Sequence, residues 1–153
     1  MTADLPTAGR LNGRRHLLPV RIYYEDTDFT GVVYHANYLR YFERGRSDFL
    51  RLAGVDHSAL LAIEPATAFA VIAMNLNFLK PARVDDALIV STELAELAGP
   101  RLTFSQKLHR GEDDVAAATV EACCISLTGR PKKPPPELIS RLKPFLDPSR
   151  SMF

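Results

Sequence analysis

The feature that most constrains this chain is a change of period. From about Tyr34 to Leu52, Tyr38, Phe42, Gly45, Phe49 and Leu52 recur at i, i+4, i+7, i+11 and i+14, one face of a helix. Arg40, Arg44, Arg46, Ser47, Asp48 and Arg51 cover much of the rest, and Gly54 supplies a stop signal. After about Thr67 the pattern becomes that of strands. TAFAVIAMNLNFL (67–79) ends in alternation, ALIVSTELAEL (87–97) follows, and RLTFSQKLHR (101–110) alternates again after the turn Gly99-Pro100. VAAATVEACCISL (115–127), beyond a second turn at GEDD, is the last long segment, and its alanines leave a helix open there. Short turns between consecutive strands predict an antiparallel meander. One amphipathic helix and one antiparallel sheet can each bury an apolar face only against the other, which makes a two-layer α+β domain. Gly45 inside the apolar stripe should cost about 1 kcal/mol relative to alanine. A close approach of helix and sheet would rationalise it.

The 153 residues suffice for one compact domain with a real core, and 46% hydrophobic with 24% charged residues is a globular composition. A net charge of +1 gives a nucleic-acid partner no bulk electrostatic support, and zinc-finger spacing, a P-loop and GxGxxG are all missing. No apolar run approaches the roughly 20 residues of a membrane span, and the N-terminus lacks the apolar core of a signal peptide. A soluble, cytoplasmic protein is expected. Cys123 and Cys124 are neighbours, pointing to opposite faces of a strand, and read as two small buried thiols.

At the ends, residues 1–16 read as a flexible polar arm, and LLPVRIYY (17–24) as a first strand with Pro19 at an edge. DHSALLAI (56–63) reads as a short helix capped by Asp56 or Ser58, and ELISRLKPFL (137–146) as a short terminal helix. The expected division is therefore an arm (1–16), a single domain (17–146) and a tail (147–153).

Just ahead of the long helix stands YEDTDFTGVVYHANY, with Glu25, Asp26 and Asp28 within four residues, then Gly31 and His35. Three readings compete. Capping would use Asn37 or Thr30 on free helix N–H groups, with Asp28 in a turn closed by Gly31. A metal site would use Asp26, Asp28 and His35, without the support of an HxxxH pair. An active site would join a carboxylate to the free N–H groups and positive dipole end of a helix, which can stabilise an oxyanion.

Residues 20–52, VRIYYEDTDFTGVVYHANYLRYFERGRSDFLRL, closely resemble the signature of the hotdog-fold acyl-CoA thioesterases. The nearest branch is the small bacterial enzymes associated with the Tol–Pal envelope system, relatives of 4-hydroxybenzoyl-CoA thioesterase. NFLKPARVDDALIV (77–90) and CCISLTGRPKKPP (123–135) fit the same branch, so about 130 residues are covered in order. The resemblance implies a hotdog fold: a long central helix wrapped by a roughly five-stranded antiparallel sheet. It also implies a homodimer or homotetramer with sites at the subunit interface, and hydrolysis of a short-chain or aromatic acyl-CoA without metal or organic cofactor.

Residue by residue, the resemblance makes Asp28 the catalytic carboxylate, as nucleophile or general base. His35 opens the helix and polarises the thioester carbonyl through its backbone N–H, and Tyr24 matches a further site residue. Gly31, Val33 and Phe29 fall on the substrate side of the motif. Coenzyme A carries phosphates, for which Lys80, Arg83, Arg130, Lys132 and Lys133 are the candidate cations. Two departures stand out. Phe29 and Thr30 replace the small residues usual after the catalytic Asp, and Gly45 replaces an Ala; Phe29 is placed to narrow the acyl pocket. Two other functions fit the pattern, a non-catalytic acyl-CoA or acyl-carrier-protein binding module and an envelope-associated adaptor. His16, His57 and His109 are expected at the surface. Glu25 and Asp26 are expected as loop or interface residues, and Glu43 in an ion pair with a nearby Arg.

Overall fold

The structure is a computed structural model that describes residues 8–62 and 66–149. Part of the expected arm, the end of the expected second helix and most of the expected tail fall on residues outside these.

The chain forms β1 (Arg10–Asn12), β2 (Arg15–Arg21), a 3-10 turn (Tyr24–Asp26), α1 (His35–Leu52), α2 (His57–Ala62), β3 (Ala68–Phe78), β4 (Ala87–Ala98), β5 (Arg101–Arg110), β6 (Asp113–Ile125), α3 (Pro136–Leu142) and a closing 3-10 turn (Lys143–Phe145). The strands make one antiparallel sheet in the order β1-β2-β4-β5-β6-β3. β4, β5 and β6 are the predicted meander, and β6 is a strand rather than a helix despite its alanines. Pairing on both sides favours the strand, because small side chains let the sheet and its neighbours close up. β3 takes the outer edge by pairing with β6 from Phe78↔Ala116 to Ala68↔Ile125.

One face of the sheet packs on α1. Tyr38, Tyr41, Phe42, Phe49 and Leu50 of the helix join Leu88, Val90, Leu94, Leu102, Phe104, Leu108 and Val120 in the core. Leu52, the last residue of the predicted stripe, sits on the rim instead. Gly45 is where helix and sheet come closest. A Cβ there would lie 2.7 Å from Val90 Cγ1 and 2.9 Å from Thr92 Oγ1. Glycine is kept because its missing side chain is what lets the two layers meet.

Three expectations are corrected. The stretch read as an arm carries β1 and the start of β2 from Arg10 onward, so the sheet has six strands where roughly five were expected. His16 is fully buried, with Nε2 2.7 Å from Asp48 Oδ2, and Gly9 donates its backbone N–H to the same oxygen at 2.8 Å. Arg46 and Asp48, read as helix surface, are buried too: Arg46 donates to Gln106 Oε1 at 3.0 Å, and Asp48 accepts from Arg51. His109 is half-buried, with Nε2 2.8 Å from Ser91 Oγ. His57 stays exposed, its ring 5.8 Å from that of Phe69. The expected neighbouring thiols are both free and buried.

Candidate active site

Between the first 3-10 turn and α1 the chain makes a small hairpin. Its sides are tied by the Thr27↔Val33 bridge and by Asp28 N–H to the Val32 carbonyl. Its tip is an Asx turn: Asp28 accepts the Thr30 backbone N–H on Oδ1 at 2.8 Å and the Thr30 hydroxyl on the same oxygen at 2.5 Å. Gly31 closes the tip through the Asp28 carbonyl with φ +82°, a conformation few other residues adopt. The turn expected of Asp28 under the capping reading is therefore present.

The base of the hairpin is pinned to the helix. The Asp26 carbonyl accepts both the Tyr34 backbone N–H (3.0 Å) and Asn37 Nδ2 (2.8 Å), and the Asp26 carboxylate accepts the Tyr23 N–H (2.7 Å). Asn37 thus holds the loop instead of capping the helix. Tyr34 occupies the N-cap position and makes no side-chain cap bond, and no acidic residue lies in the first turn. The Asn37 N–H turns back to the Tyr34 carbonyl at 2.9 Å. The backbone N–H groups of His35 and Ala36 are then left without an acceptor among the described residues. They point out of the positive end of an 18-residue helix beside the Asp28 hairpin.

Electrostatics favour an ionised Asp28. The Thr30 hydroxyl first, its backbone N–H second and the His35 charge least hold the Asp28 carboxyl below its ordinary range. The carboxylate is solvent-exposed, as is the His35 ring, which lies tilted against Tyr34 at 4.5 Å and meets Phe78 edge-on at 6.4 Å. Phe78, read only as a strand residue, thus walls the site; no feature of the sequence pairs it with position 35.

The remaining candidates separate into two groups. At the hairpin, Gly31 and Arg83 stand with Asp28 and His35, since Val32 bridges to Arg83. Lys80 follows β3 at the same end and is ion-paired with Asp113 at 2.9 Å. Val33 is buried in the core, while Tyr24 is 85% exposed on the 3-10 turn and the Phe29 ring projects wholly into solvent. Arg130, Lys132 and Lys133 are elsewhere. Lys132 donates its backbone N–H to the Cys124 carbonyl and its Nζ to Thr67 Oγ1, at the Ala68 end of β3. Roughly 30 Å of strand separates that end from Phe78. Within one chain, only Arg83 and Lys80 of the expected phosphate cations lie at the Asp28 end. No group of three or more His, Cys, Asp or Glu among the described residues is arranged to hold a metal.

The family model described as "Thioesterase superfamily" matches residues 30–117, beginning just after Asp28. The acyl-CoA thioesterase YbgC of Haemophilus influenzae is 43% identical over 109 residues, covering 71% of this chain and 79% of that protein. The acyl-CoA thioester hydrolase YbgC of Shigella flexneri is 37% identical over 127 residues, covering 82% and 93%. The crystal structure of a probable thioesterase from Bartonella henselae superposes with a TM-score of 0.76 at 41% identity, covering 79% of this chain and 99% of that one.

Proposed function

This chain belongs to the thioesterase superfamily, and from that premise we propose that it hydrolyses the thioester of a short-chain or aromatic acyl-CoA, with Asp28 as the reacting carboxylate. It is an enzyme of the acyl-CoA thioesterase kind, with a hotdog-like fold of one central helix against a six-stranded antiparallel sheet. No helix among the described residues is long and apolar enough to cross a membrane.

One observation carries the reading. An ionised, exposed carboxylate is fixed on a turn whose base is bonded to the start of α1, and that helix start has no side-chain cap. A thioester carbonyl seated between them would have its oxygen polarised by the His35 and Ala36 N–H groups. Asp28 then follows one of two routes. As nucleophile, it attacks the carbonyl carbon, the C–S bond breaks with the thiolate leaving, and water hydrolyses the mixed anhydride to regenerate the carboxylate. As general base, it takes a proton from water while the hydroxyl attacks the same carbon; the C–S bond then breaks and the proton passes to the departing thiolate. Both routes yield a carboxylic acid and free coenzyme A. Thioesters are activated enough that neither needs a metal.

A homodimer completes the arrangement. β3 is an edge strand, and its Val71, Ile72 and Phe78 are each about half exposed. Antiparallel pairing of two β3 edges would cover that edge and bring the Ala68 end of the partner's β3 toward this subunit's Phe78 and His35. Cations at the far end of β3 would then meet the coenzyme A phosphates. A monomer in sedimentation that retains full activity contradicts this arrangement.

The decisive experiment is thiol release from an acyl-CoA panel by wild type and Asp28→Asn. Loss of the carboxylate should cost about 10³-fold in kcat/KM with an unchanged circular dichroism spectrum. Retained turnover in the variant removes Asp28 from the chemistry. Tight coenzyme A binding by wild type without any hydrolysis would point to a binding module.

A further inference from the structure

Two donors of Thr30 converge on one atom. Its backbone N–H and its hydroxyl both bond Asp28 Oδ1, at 2.8 and 2.5 Å. Asp28 Oδ2 has no hydrogen-bond partner among the described residues. The two oxygens of one carboxylate are therefore unequal. Oδ1 is saturated by a neighbour two residues away, and Oδ2 is open. An acceptor held by two donors from a short turn cannot rotate about χ2 without breaking both.

We propose that Thr30 is a positioning residue for the hydrolytic reaction: by holding Oδ1 it fixes the plane of the Asp28 carboxylate and reserves Oδ2 as the oxygen that reacts. The proposal rests on the assignment of Asp28 to the chemistry. It goes beyond that assignment by naming the reacting atom and the residue that selects it. In the nucleophilic route Oδ2 forms the bond to the carbonyl carbon; in the general-base route Oδ2 accepts the proton from water. Either way Oδ1 keeps its two donors throughout.

The same bonds act on protonation. Thr30 supplies the two largest influences keeping Asp28 ionised, and His35 on the first turn of α1 is the one charged group outside the hairpin that adds to them. The other ionisable neighbours are Glu25 and Asp26 on the preceding 3-10 turn and Arg83, across the backbone bridge from Val32. Thr30 therefore extends the pH range in which the reacting form persists. The direction follows from the sign. A depressed carboxylate is ionised above its lowered pKa, and activity is lost as pH falls through it. Removing the hydroxyl lets the pKa rise, so the acid limb of kcat/KM should move to higher pH.

The test is Thr30→Val, nearly isosteric and retaining the backbone N–H, with Thr30→Ser as the rescue. In benzoyl-CoA hydrolysis Thr30→Val should lower kcat about tenfold with KM little changed, the scale of one lost bond to a charged group. Its acid limb should shift upward, and Thr30→Ser should restore both rate and limb. Adding Thr30→Val to Asp28→Asn should cause no further loss, because the group it positions is gone. An unmoved pH limb in Thr30→Val overturns the proposal. So does a Thr30→Ser variant that behaves like Thr30→Val, which would assign the effect to the methyl group and to packing. If Asp28→Asn stays active, the underlying assignment fails. If Asp28→Asn is inactive and Thr30→Val is silent, only the role of Thr30 does.

Discussion

The two ends of α1 carry the same kinds of polar side chain in opposite settings. At its N-terminus, Asp28 and His35 lie in solvent, and Asp28 bonds only within its own turn. Toward its C-terminus, Asp48 is buried and meets three partners from three places: Gly9 before β1, His16 on β2 and Arg51 one turn on. Arg46 and Gln106 form a second buried set, with Gln106 Nε2 donating to both the Phe42 carbonyl and Thr92 Oγ1 at 2.9 Å. Burial lowers the Arg46 pKa. A carboxylate whose oxygens are all engaged inside the protein ties segments together. A carboxylate with one oxygen open to solvent can meet a substrate. Partner count and exposure, rather than residue type, divide structure from chemistry here.

Parallel neutralisations give the sharpest way to break that division. Asp28→Asn should remove about three orders of magnitude of kcat/KM and leave the melting temperature close to wild type. Asp48→Asn should do the reverse. Its amide oxygen can stand where Oδ2 is and accept from Gly9 and His16, while its N–H would face the exposed Arg51. Exchanging a charged acceptor for a neutral one in these bonds costs about 1–2 kcal/mol. His16 has no second bond to fall back on, since Nδ1 is buried without a partner. Thermal unfolding and steady-state kinetics on both variants check the pair. A large activity loss in Asp48→Asn at unchanged stability would dissolve the contrast between the two ends.

The contrast also marks where the sequence was legible. The helix and three of the long strands were visible because their apolar residues keep a period; the alanines of the fourth left a helix open there, and the meander followed from short turns. The turn from Asp28 to Gly31 was legible as one of three open readings of the acid-glycine-histidine cluster ahead of a helix. The buried polar ties were not, because Asp48 and His16 are 32 positions apart and each alone reads as solvated. A signal existed all the same. His16 shares its strand face with Leu18, Val20 and Ile22, and Asp48 lies three residues after Gly45, beside the buried stripe. Parity and helical spacing place both inward, against the default for their residue types. The bond from Asn37 to the Asp26 carbonyl had no such signal, since it depends on how the loop returns to the helix. β1 was missed because three exposed residues show no alternation.

Gly45 lies between the two regions and yields the smallest effect. In an exposed helix, alanine there would be worth about 1 kcal/mol over glycine. Here the new Cβ would meet Val90 Cγ1 and Thr92 Oγ1 below 3.0 Å, with Gln106 Nε2 at 3.2 Å. Val90 and Thr92 are β-branched and stiff, and Gln106 is held by Phe42, Thr92 and Arg46, so none of the three can easily yield. Overpacking of this kind costs about 1–3 kcal/mol, so the helix gain is offset and a net loss of about 1 kcal/mol remains. Gly45→Ala should therefore melt a few degrees lower. Its kcat should hold near wild type, because the hairpin is bonded to the first turn of α1 through Asn37 and Tyr34 and moves with it. A rise in melting temperature would mean that helix and sheet sit farther apart than they do here. A fall in kcat with normal stability would mean that the buried half of α1 sets the aim of its N-terminus, joining the two regions that the Asp→Asn pair separates.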